Sequence, residues 1–402
     1  MAKSTTQQTG GTTFRILASL SVIHCMNDAL QSVLSASYPI IKEDLFLSFG
    51  QIGIVTLIYQ MAASVFQPFV GLFFDKRPSP WSLPMGMTFT LIGLLSLAFS
   101  SSFYGVLCSV FLVGMGSSTL HPEASRLTSL ASGGKRGLAQ SLFQVGGNLG
   151  SALGPLMVAL LVAPYGREYI GYFSIIAFMA ILVMMPVSLW YKKWLKMYVG
   201  KGKSAINRLE APLPRRKTIF TIAILLILIF SKYVYMASLS SYYTFYLIEK
   251  FDVTIQHSQL LLFVFLLATA IGTMIGGPVG DKLGRKYVIW ASILGAAPFA
   301  LLMPHANLLW TVIFSFLTGL MLSSAFPAIL VYAQELLPYK LGLVSGLFFG
   351  FSFGVAGIAS AILGKMADIY GLEAIYNVCS YMLLLGLIAW LLPDLNKRAA
   401  GK

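Results

Sequence analysis

Charge is what this sequence has least of. Only 10% of its 402 residues are Asp, Glu, Lys or Arg, while 57% are hydrophobic. A soluble domain carries roughly a quarter charged residues, so a soluble globular fold is excluded for want of polar surface. The three cysteines, Cys25, Cys108 and Cys379, are odd in number and set in apolar surroundings. They exclude a disulfide framework and read as small packing residues. Segments of about ten residues with alternating polarity are missing, which excludes a transmembrane barrel. The run GKS at 202–204 lacks the glycine a phosphate loop needs five positions earlier, where Met197 stands. Nucleotide binding is therefore excluded, no cofactor is expected, and any transport must draw on an ion gradient. No catalytic cluster and no appended soluble domain is visible, which speaks against a membrane-embedded enzyme or sensor. A cleavable leader is not expected either, because the apolar stretch after Arg15 runs on to full span length.

What is present is long uncharged runs. Gly137–Gly166, Tyr169–Tyr191, Ser258–Gly280, Tyr287–Gln334 and Leu341–Gly364 each suffice for at least one span of about 20 residues. The chain divides into spans at roughly 14–39, 50–74, 81–101, 103–130, 136–163, 168–191, 218–248, 256–280, 286–304, 307–334, 340–364 and 373–393. Twelve transmembrane helices in an all-α fold are expected. The net charge of +14 is distributed as membrane topology dictates, not as a nucleic-acid surface. Lys3 and Arg15, Lys76 and Arg77, Lys135 and Arg136, the 192–217 segment, Lys282, Arg285 and Lys286, Lys340, and the C-terminal Lys397, Arg398 and Lys402 fall on one side. The other side holds only Lys42, Arg167, Lys250 and Lys365. The positive-inside rule then places both termini in the cytoplasm. The expected organisation is a tail at 1–13, a six-helix bundle at 14–191, a basic linker at 192–217, a second bundle at 218–393 and a tail at 394–402. A peripheral helix near Trp194 is an option within the linker.

The halves repeat. At a shift of 205, Gly114 meets Gly319, Pro122 meets Pro327, Lys135 meets Lys340, Gly137 meets Gly342 and Gly166 meets Gly371. At 206, Gly71 and Asp75 meet Gly277 and Asp281. Two parallel six-helix repeats are how one large transporter class encloses a midplane site.

Two motifs carry signal. The loop Gly277-Pro-Val-Gly-Asp281-Lys-Leu-Gly-Arg285-Lys reads G-x-x-x-D-K-x-G-R-K. Its glycines permit close helix approach, and Asp281 is placed to accept hydrogen bonds from a neighbouring helix N-terminus. The first-half copy, Gly71 to Pro78, keeps Gly71 and Asp75 but loses the Gly-Arg-Lys, so a weaker cytoplasmic latch is expected there. Span five carries Gly150, Gly154 and Pro155 as G-x-x-x-G-P. The bland reading is tight helix packing at small residues. The functional reading is an antiporter signature, and the pair of glycines usual after the proline is replaced by Val158 and Ala159.

Polar residues inside spans mark the expected cavity. His24, Asn27, Asp28, Gln31 and Ser35 form one helical stripe on span one. An ionised Asp at mid-bilayer costs about 2.5–3.5 kcal/mol, so Asp28 is either a structural group bonded to backbone or a group that takes up protons. In TLHPEASRL, residues 119–127, Pro122 has a counterpart in Pro327, but His121, Glu123 and Arg126 have none. The fold therefore does not demand these charges. Glu123 and Arg126 at i, i+3 are expected to pair. Either span four ends here and Arg126 faces the cytoplasm, or the pair forms a protonation switch. In span seven, Lys232 is an isolated cation amid tyrosines that either pairs with Asp28 or Glu123 or meets an anionic ligand. The expected coupling groups are thus Asp28, Glu123, His24, His121 and Arg126. The expected substrate contacts are Lys232, Asn27, Gln31, Gln144, Asn148, Tyr235 and Tyr242. Glu335 reads as interfacial, and no metal site is expected.

The G-x-x-x-D-K-x-G-R-K loop resembles the signature of the major facilitator superfamily. More narrowly, HPEASR at 121–126, GGKRGLAQSLFQVGGNLGSALGPL at 133–156, SKYVYMASLSSYYTFYL at 231–247, GGPVGDKLGRKYVIW at 276–290 and ILVYAQELLP at 329–338 together resemble the fosmidomycin resistance transporters. The resemblance spans roughly residues 14 to 394. It implies a monomeric, twelve-helix drug:proton antiporter of the bacterial inner membrane, with small drugs, phosphonates among them, and protons as its partners. An uptake carrier for a sugar or organic phosphate is the alternative.

Overall fold

The computed structural model describes residues 13–37, 40–41, 44–47, 49–199, 213–253 and 255–395. The expectations for the N-terminal tail to residue 12, for Lys42, for linker residues 200–212 and for the tail beyond 395 lie outside the described residues. So do the side chains of Ser35, Pro155 and Lys365.

Helices make up the chain, as they must where lipid offers the backbone no partners. The first half contains α1 (Phe14–Ala36), α2 (Phe49–Ser64, resuming at Gln67–Lys76), α3 (Ser82–Ala98), α4 (Phe103–Ala131), α5 (Arg136–Met157) and α6 (Ser174–Val199). The second contains α7 (Arg215–Phe251), α8 (Ile255–Leu283), α9 (Arg285–Leu302), α10 (Leu308–Leu336), α11 (Leu341–Tyr370) and α12 (Leu372–Met382, continuing as a 3-10 helix at Leu383–Leu391). Among the described residues nine helical stretches are long and apolar enough to cross a membrane by composition. The three that fall short are α1, α3 and α5. Helix α3 has only 17 residues, and α1 and α5 carry the polar groups that line the interior.

The duplication reaches the details of helix ends. Ser102 caps α4 by accepting from Gly105 N at 3.2 Å, and Asn307, 205 positions on, caps α10 by accepting from Trp310 N at 3.1 Å. Gly166 and Gly371 both take positive φ, +102° and +83°, a conformation that costs other residues. Pro122 and Pro327 sit inside 29-residue helices that continue past them. Helix α4 therefore does not end at Pro122. Its buried neighbours hold the turn that the missing N–H leaves open, and Arg126 is only 6% exposed instead of facing water. Helix α6 likewise runs unbroken through Lys192 to Val199, so Trp194 belongs to the span and not to a separate peripheral helix. Its ring stacks on Tyr191 at 6.0 Å.

The halves are clamped together at the end that carries the basic loops. Asp75 accepts from the N–H groups of Gly342 (3.0 Å) and Leu343 (2.8 Å) at the start of α11. Asp281 accepts from Gly137 (3.0 Å) and Leu138 (3.1 Å) at the start of α5. Each carboxylate reaches across to the other half and meets two unsatisfied donors at a positive helix end. Among the described residues no arginine is hydrogen-bonded to Asp75. What the first-half copy lacks is the outer layer, in which Arg285 bonds Asp281 at 3.0 Å and Glu335 at 3.2 Å. Backbone contact at the glycines makes this closure possible. A Cβ on Gly71 would lie 2.1 Å from Gly342 O, and one on Gly277 would lie 2.0 Å from Gly137 O.

Inside the clamps lies a buried polar network. Ser129 donates to Gln334 Oε1 at 2.5 Å, Gln334 donates to Ser345 at 2.9 Å, and Ser125 meets Ser345 at 3.1 Å. Gln140 donates to Ser125 O at 2.8 Å and Ser129 Oγ at 3.1 Å. Ser129 and Gln334 are 205 positions apart, as are Gln140 and Ser345. Each equivalent pair holds one serine and one glutamine. Further along α11 the packing between halves loosens. Gly350 faces Ser64 O, whereas Gly354 and Gly357 face nothing within 4 Å. The halves are thus clamped at the basic end and packed less tightly along α11 away from it.

Within the first half, α1 and α5 meet along Gly146, Gly147, Gly150 and Gly154. A Cβ on Gly150 would sit 2.1 Å from Cys25 O. Gly150→Ala should therefore destabilise the purified protein by about 1–3 kcal/mol through overpacking, whereas Gly354→Ala should leave it unchanged or slightly more stable. Thermal unfolding in detergent checks the pair, and equal melting temperatures would contradict the packing described.

Candidate functional site

A cavity of about 160 Å³ lies between the halves, immediately inside the closed end. The first half supplies His24 and Asp28 from α1 and Gln144 and Asn148 from α5. The second half supplies Lys232 and Tyr233 from α7, Thr269 and Thr273 from α8, Phe326 from α10, and Phe349 and Phe353 from α11. One wall presents a carboxylate and the other an ammonium. Asn148 bridges toward the far wall, donating to Thr273 Oγ1 at 3.3 Å. Buried Gln144 Oε1 has no hydrogen-bond partner. A buried acceptor left open is rare, and here it lines the cavity.

Asp28 sits between two imidazoles. His24 Nε2 lies 3.3 Å from Oδ2 and His121 Nε2 lies 3.3 Å from Oδ1, while Asn27 donates to Oδ1 at 2.9 Å. Both rings are held from behind. His24 Nδ1 meets Phe143 O at 2.7 Å, and His121 Nδ1 meets Ser117 O at 3.0 Å. A backbone carbonyl only accepts, so Nδ1 carries the proton in each ring. His121 also packs against Phe349 and Phe353 of the other half, with centroids 5.3 and 5.2 Å away.

Glu123 and Arg126 make a separate assembly. Arg126 Nε and Nη2 each bond a Glu123 oxygen at 2.9 Å, a bidentate pair. Ser82 donates to Glu123 Oε2 at 2.8 Å and Arg126 donates to Tyr191 Oη at 2.8 Å. Glu123 is fully buried and lies outside the cavity. His121, its near neighbour in sequence, points to Asp28 because the helix turn between them places it on another face.

Lys232 is buried at 4% exposure and among the described residues has no carboxylate within salt-bridge reach. Its Nζ stands 5.0 Å from the Tyr233 ring centroid and 5.2 Å from that of Phe326. Such cation–π contact is modest support for a desolvated charge. Permanent pairing with Asp28 or Glu123 is thus not what the geometry shows, since other groups occupy both carboxylates.

Of the residues expected to meet substrate, Lys232, Gln144 and Asn148 line the cavity and four do not. Asn27 is spent on Asp28. Gln31 accepts from Tyr59 at 2.8 Å and from Ser117 at 3.0 Å, so it joins α1 to α2 and α4. Tyr235 is fully buried, and Tyr242 donates to Ser360 O at 2.5 Å. Successive helical residues turn by about 100°, so Tyr235, two positions after Tyr233, points to nearly the opposite face. The aromatic wall of Phe326, Phe349 and Phe353 was not signalled in the sequence, because phenylalanine is equally common on lipid-facing surfaces. Glu335, read as interfacial, belongs to the Arg285 cluster at the closed end.

Comparison with known proteins places this geometry in context. The profile of the Major Facilitator Superfamily matches residues 20–256 and 224–402. The chain is 54% identical over 393 residues to the fosmidomycin resistance protein of Escherichia coli (strain K12), covering 98% of this chain and 96% of that one. It is 39% identical over 397 residues to YfnC of Bacillus subtilis (strain 168), an uncharacterized MFS-type transporter, covering 99% and 97%. Among solved structures, the human organic anion transporter MFSD10 aligns at a TM-score of 0.75 and 14% identity, covering 94% of this chain and 99% of that one. The fucose transporter FucP in its outward conformation aligns at 0.72 and 15%, covering 94% and 98%. These two share the fold. The chain is a membrane transporter, not an enzyme, and it belongs to the major facilitator superfamily, within it to the family of the fosmidomycin resistance protein.

Proposed function

We propose that this protein is a proton-coupled exporter of small anionic drugs, phosphonates such as fosmidomycin among them, working by alternating access in the bacterial inner membrane as a monomer with both termini in the cytoplasm. The observation that carries this reading is the cavity between the halves, with Asp28 on one wall and unpaired Lys232 on the other. The name of the Escherichia coli relative supports the substrate class. The basic end is the cytoplasmic end on this reading, so the clamps close the structure toward the cytoplasm.

Lys232 serves as the anion-binding group. A desolvated ammonium meeting an oxyanion forms a charge-assisted bond of about 1.5–3 kcal/mol. Tyr233, Gln144 and Asn148 lie around the same cavity and supply further polar contacts. Asp28 is the favoured proton carrier, because among the described residues it is the acidic one that borders the cavity. Glu123, held by Arg126 and Ser82, serves as a buried anchor between α3, α4 and α6. Gly150 and Gly154 let α1 and α5 approach closely enough to place Asp28 at the cavity wall, and with Pro155 they form the antiporter motif of this reading. The clamps of Asp75 and Asp281, with Gly71, Gly277 and Arg285, must open for cargo to enter from the cytoplasm.

Three outcomes follow. In proteoliposomes, Asp28→Asn should abolish substrate-driven proton movement while Glu123→Gln retains it in whatever protein folds; full coupling in Asp28→Asn would sink the assignment. Lys232→Gln should weaken transport of anionic compounds about tenfold to a hundredfold and spare neutral ones, and equal loss for both would show a structural lysine. Arg126→Met should cost about 3–5 kcal/mol of stability by stranding a buried carboxylate. Adding Glu123→Leu should recover most of it, as read by thermal unfolding of the single and double variants.

A further inference from the structure

We propose that His24, Asp28 and His121 form a binding site for a divalent transition-metal ion of the zinc type, open on one side to the cavity. The ligand atoms of the three residues lie within 4.8 Å of one another. Each Nε2 stands 3.3 Å from a carboxylate oxygen. The two contacts are to different oxygens, Oδ2 for His24 and Oδ1 for His121, so the three groups must draw together from as much as 4.8 Å on binding an ion. Each 3.3 Å separation is about what two ligands 2.0–2.1 Å from a zinc ion subtend at a tetrahedral angle. It is longer than a charge-assisted hydrogen bond of about 2.7–2.9 Å. Accordingly, the two Nε2 atoms, in rings only 2% and 0% exposed, count as buried atoms without a hydrogen-bond partner.

The surroundings fit a metal ligand set. Each ring gives its Nδ1 proton to a backbone carbonyl, Phe143 O or Ser117 O, which turns the Nε2 lone pair toward Asp28. Asn27 steadies the carboxylate. Outer hydrogen bonds of this kind fix the tautomer and raise ligand basicity at zinc sites. With Nδ1–H given to a carbonyl, each neutral ring offers its Nε2 lone pair toward Asp28, and two such lone pairs with a carboxylate are completed by a metal cation, with protons on the two Nε2 atoms as its competitors. His24 and Asp28 border the cavity, leaving a fourth position for water or an anion's oxygen, the arrangement of three protein ligands and one open place. No spacing motif announces the site, since α1 supplies two ligands and α4 the third. The proposal stands independently of what the carrier exports, and on it metal and proton compete for Asp28, so the metal-loaded protein does not couple through that carboxylate.

The test uses tag-free, full-length protein in detergent, stripped with chelator and titrated with cobalt(II). The expected result is one cobalt per chain with visible ligand-field bands of a low-coordinate nitrogen and oxygen site, displaced by zinc. His121→Gln and Asp28→Asn should weaken binding by at least about 100-fold, the upper end of what losing an outer partner alone costs. Should these variants fail to fold, zinc-edge X-ray absorption on the unaltered protein decides. Two imidazoles and an oxygen support the site; a sulfur neighbour or fewer than two imidazoles overturns it. Absence of cobalt binding, or equal affinity in folded variants, overturns it as well.

Discussion

The structure depends on two carboxylates that each cross from one half of the molecule to the other. Asp75 and Asp281 end their own helices and fill the donor ends of α11 and α5. A helix start at a bundle interface needs its N–H groups satisfied, and here the partner half provides the acceptor. Every other contact at the closed end, from the backbone approach at Gly71 and Gly277 to the serine–glutamine network, lies within the frame those two bonds set. The cavity is the space the frame leaves above it.

The frame is symmetric but the chemistry inside is not. Pro122 and Pro327, Ser102 and Asn307, Gly166 and Gly371 keep equivalent places, whereas the ionisable groups divide by half. The first half holds both acids and both histidines of the interior, and the second holds the lysine and the aromatic wall. Duplication thus supplied a scaffold on which one side came to present a carboxylate to the cavity and the other an ammonium. Burial strengthens the field of both, because each charge has few competing water molecules around it.

Much of this was legible in the residues alone. The apolar runs that lipid imposes set the spans, and the duplication at 205 and the Asp281 loop reappear in the folded chain as the paired caps of Ser102 and Asn307 and the bonds of Asp281 to Gly137 and Leu138. The Glu123–Arg126 pair was readable because i, i+3 neighbours meet on any helix. Which residues face the cavity was harder to read. Gln31 and Tyr242 share helices with Asp28 and Lys232, but their hydrogen bonds go to Tyr59, Ser117 and Ser360, tying spans together. The His121–Asp28 contact joins α1 to α4, and no local pattern encodes such a distance. The phenylalanine wall was silent for the opposite reason, because its residues look like lipid-facing ones.

The serine–glutamine network has a consequence for the ancestry of the two halves. Position 129 carries the short side chain and its counterpart 334 the long one, while 140 and 345 reverse the arrangement. A particle assembled from two first halves would set serine against serine at one place and glutamine against glutamine at the other, and one assembled from two second halves would do the same with the places exchanged. Only unlike halves put a long side chain and a short one at both equivalent pairs, so each half is shaped to its partner and not to a copy of itself.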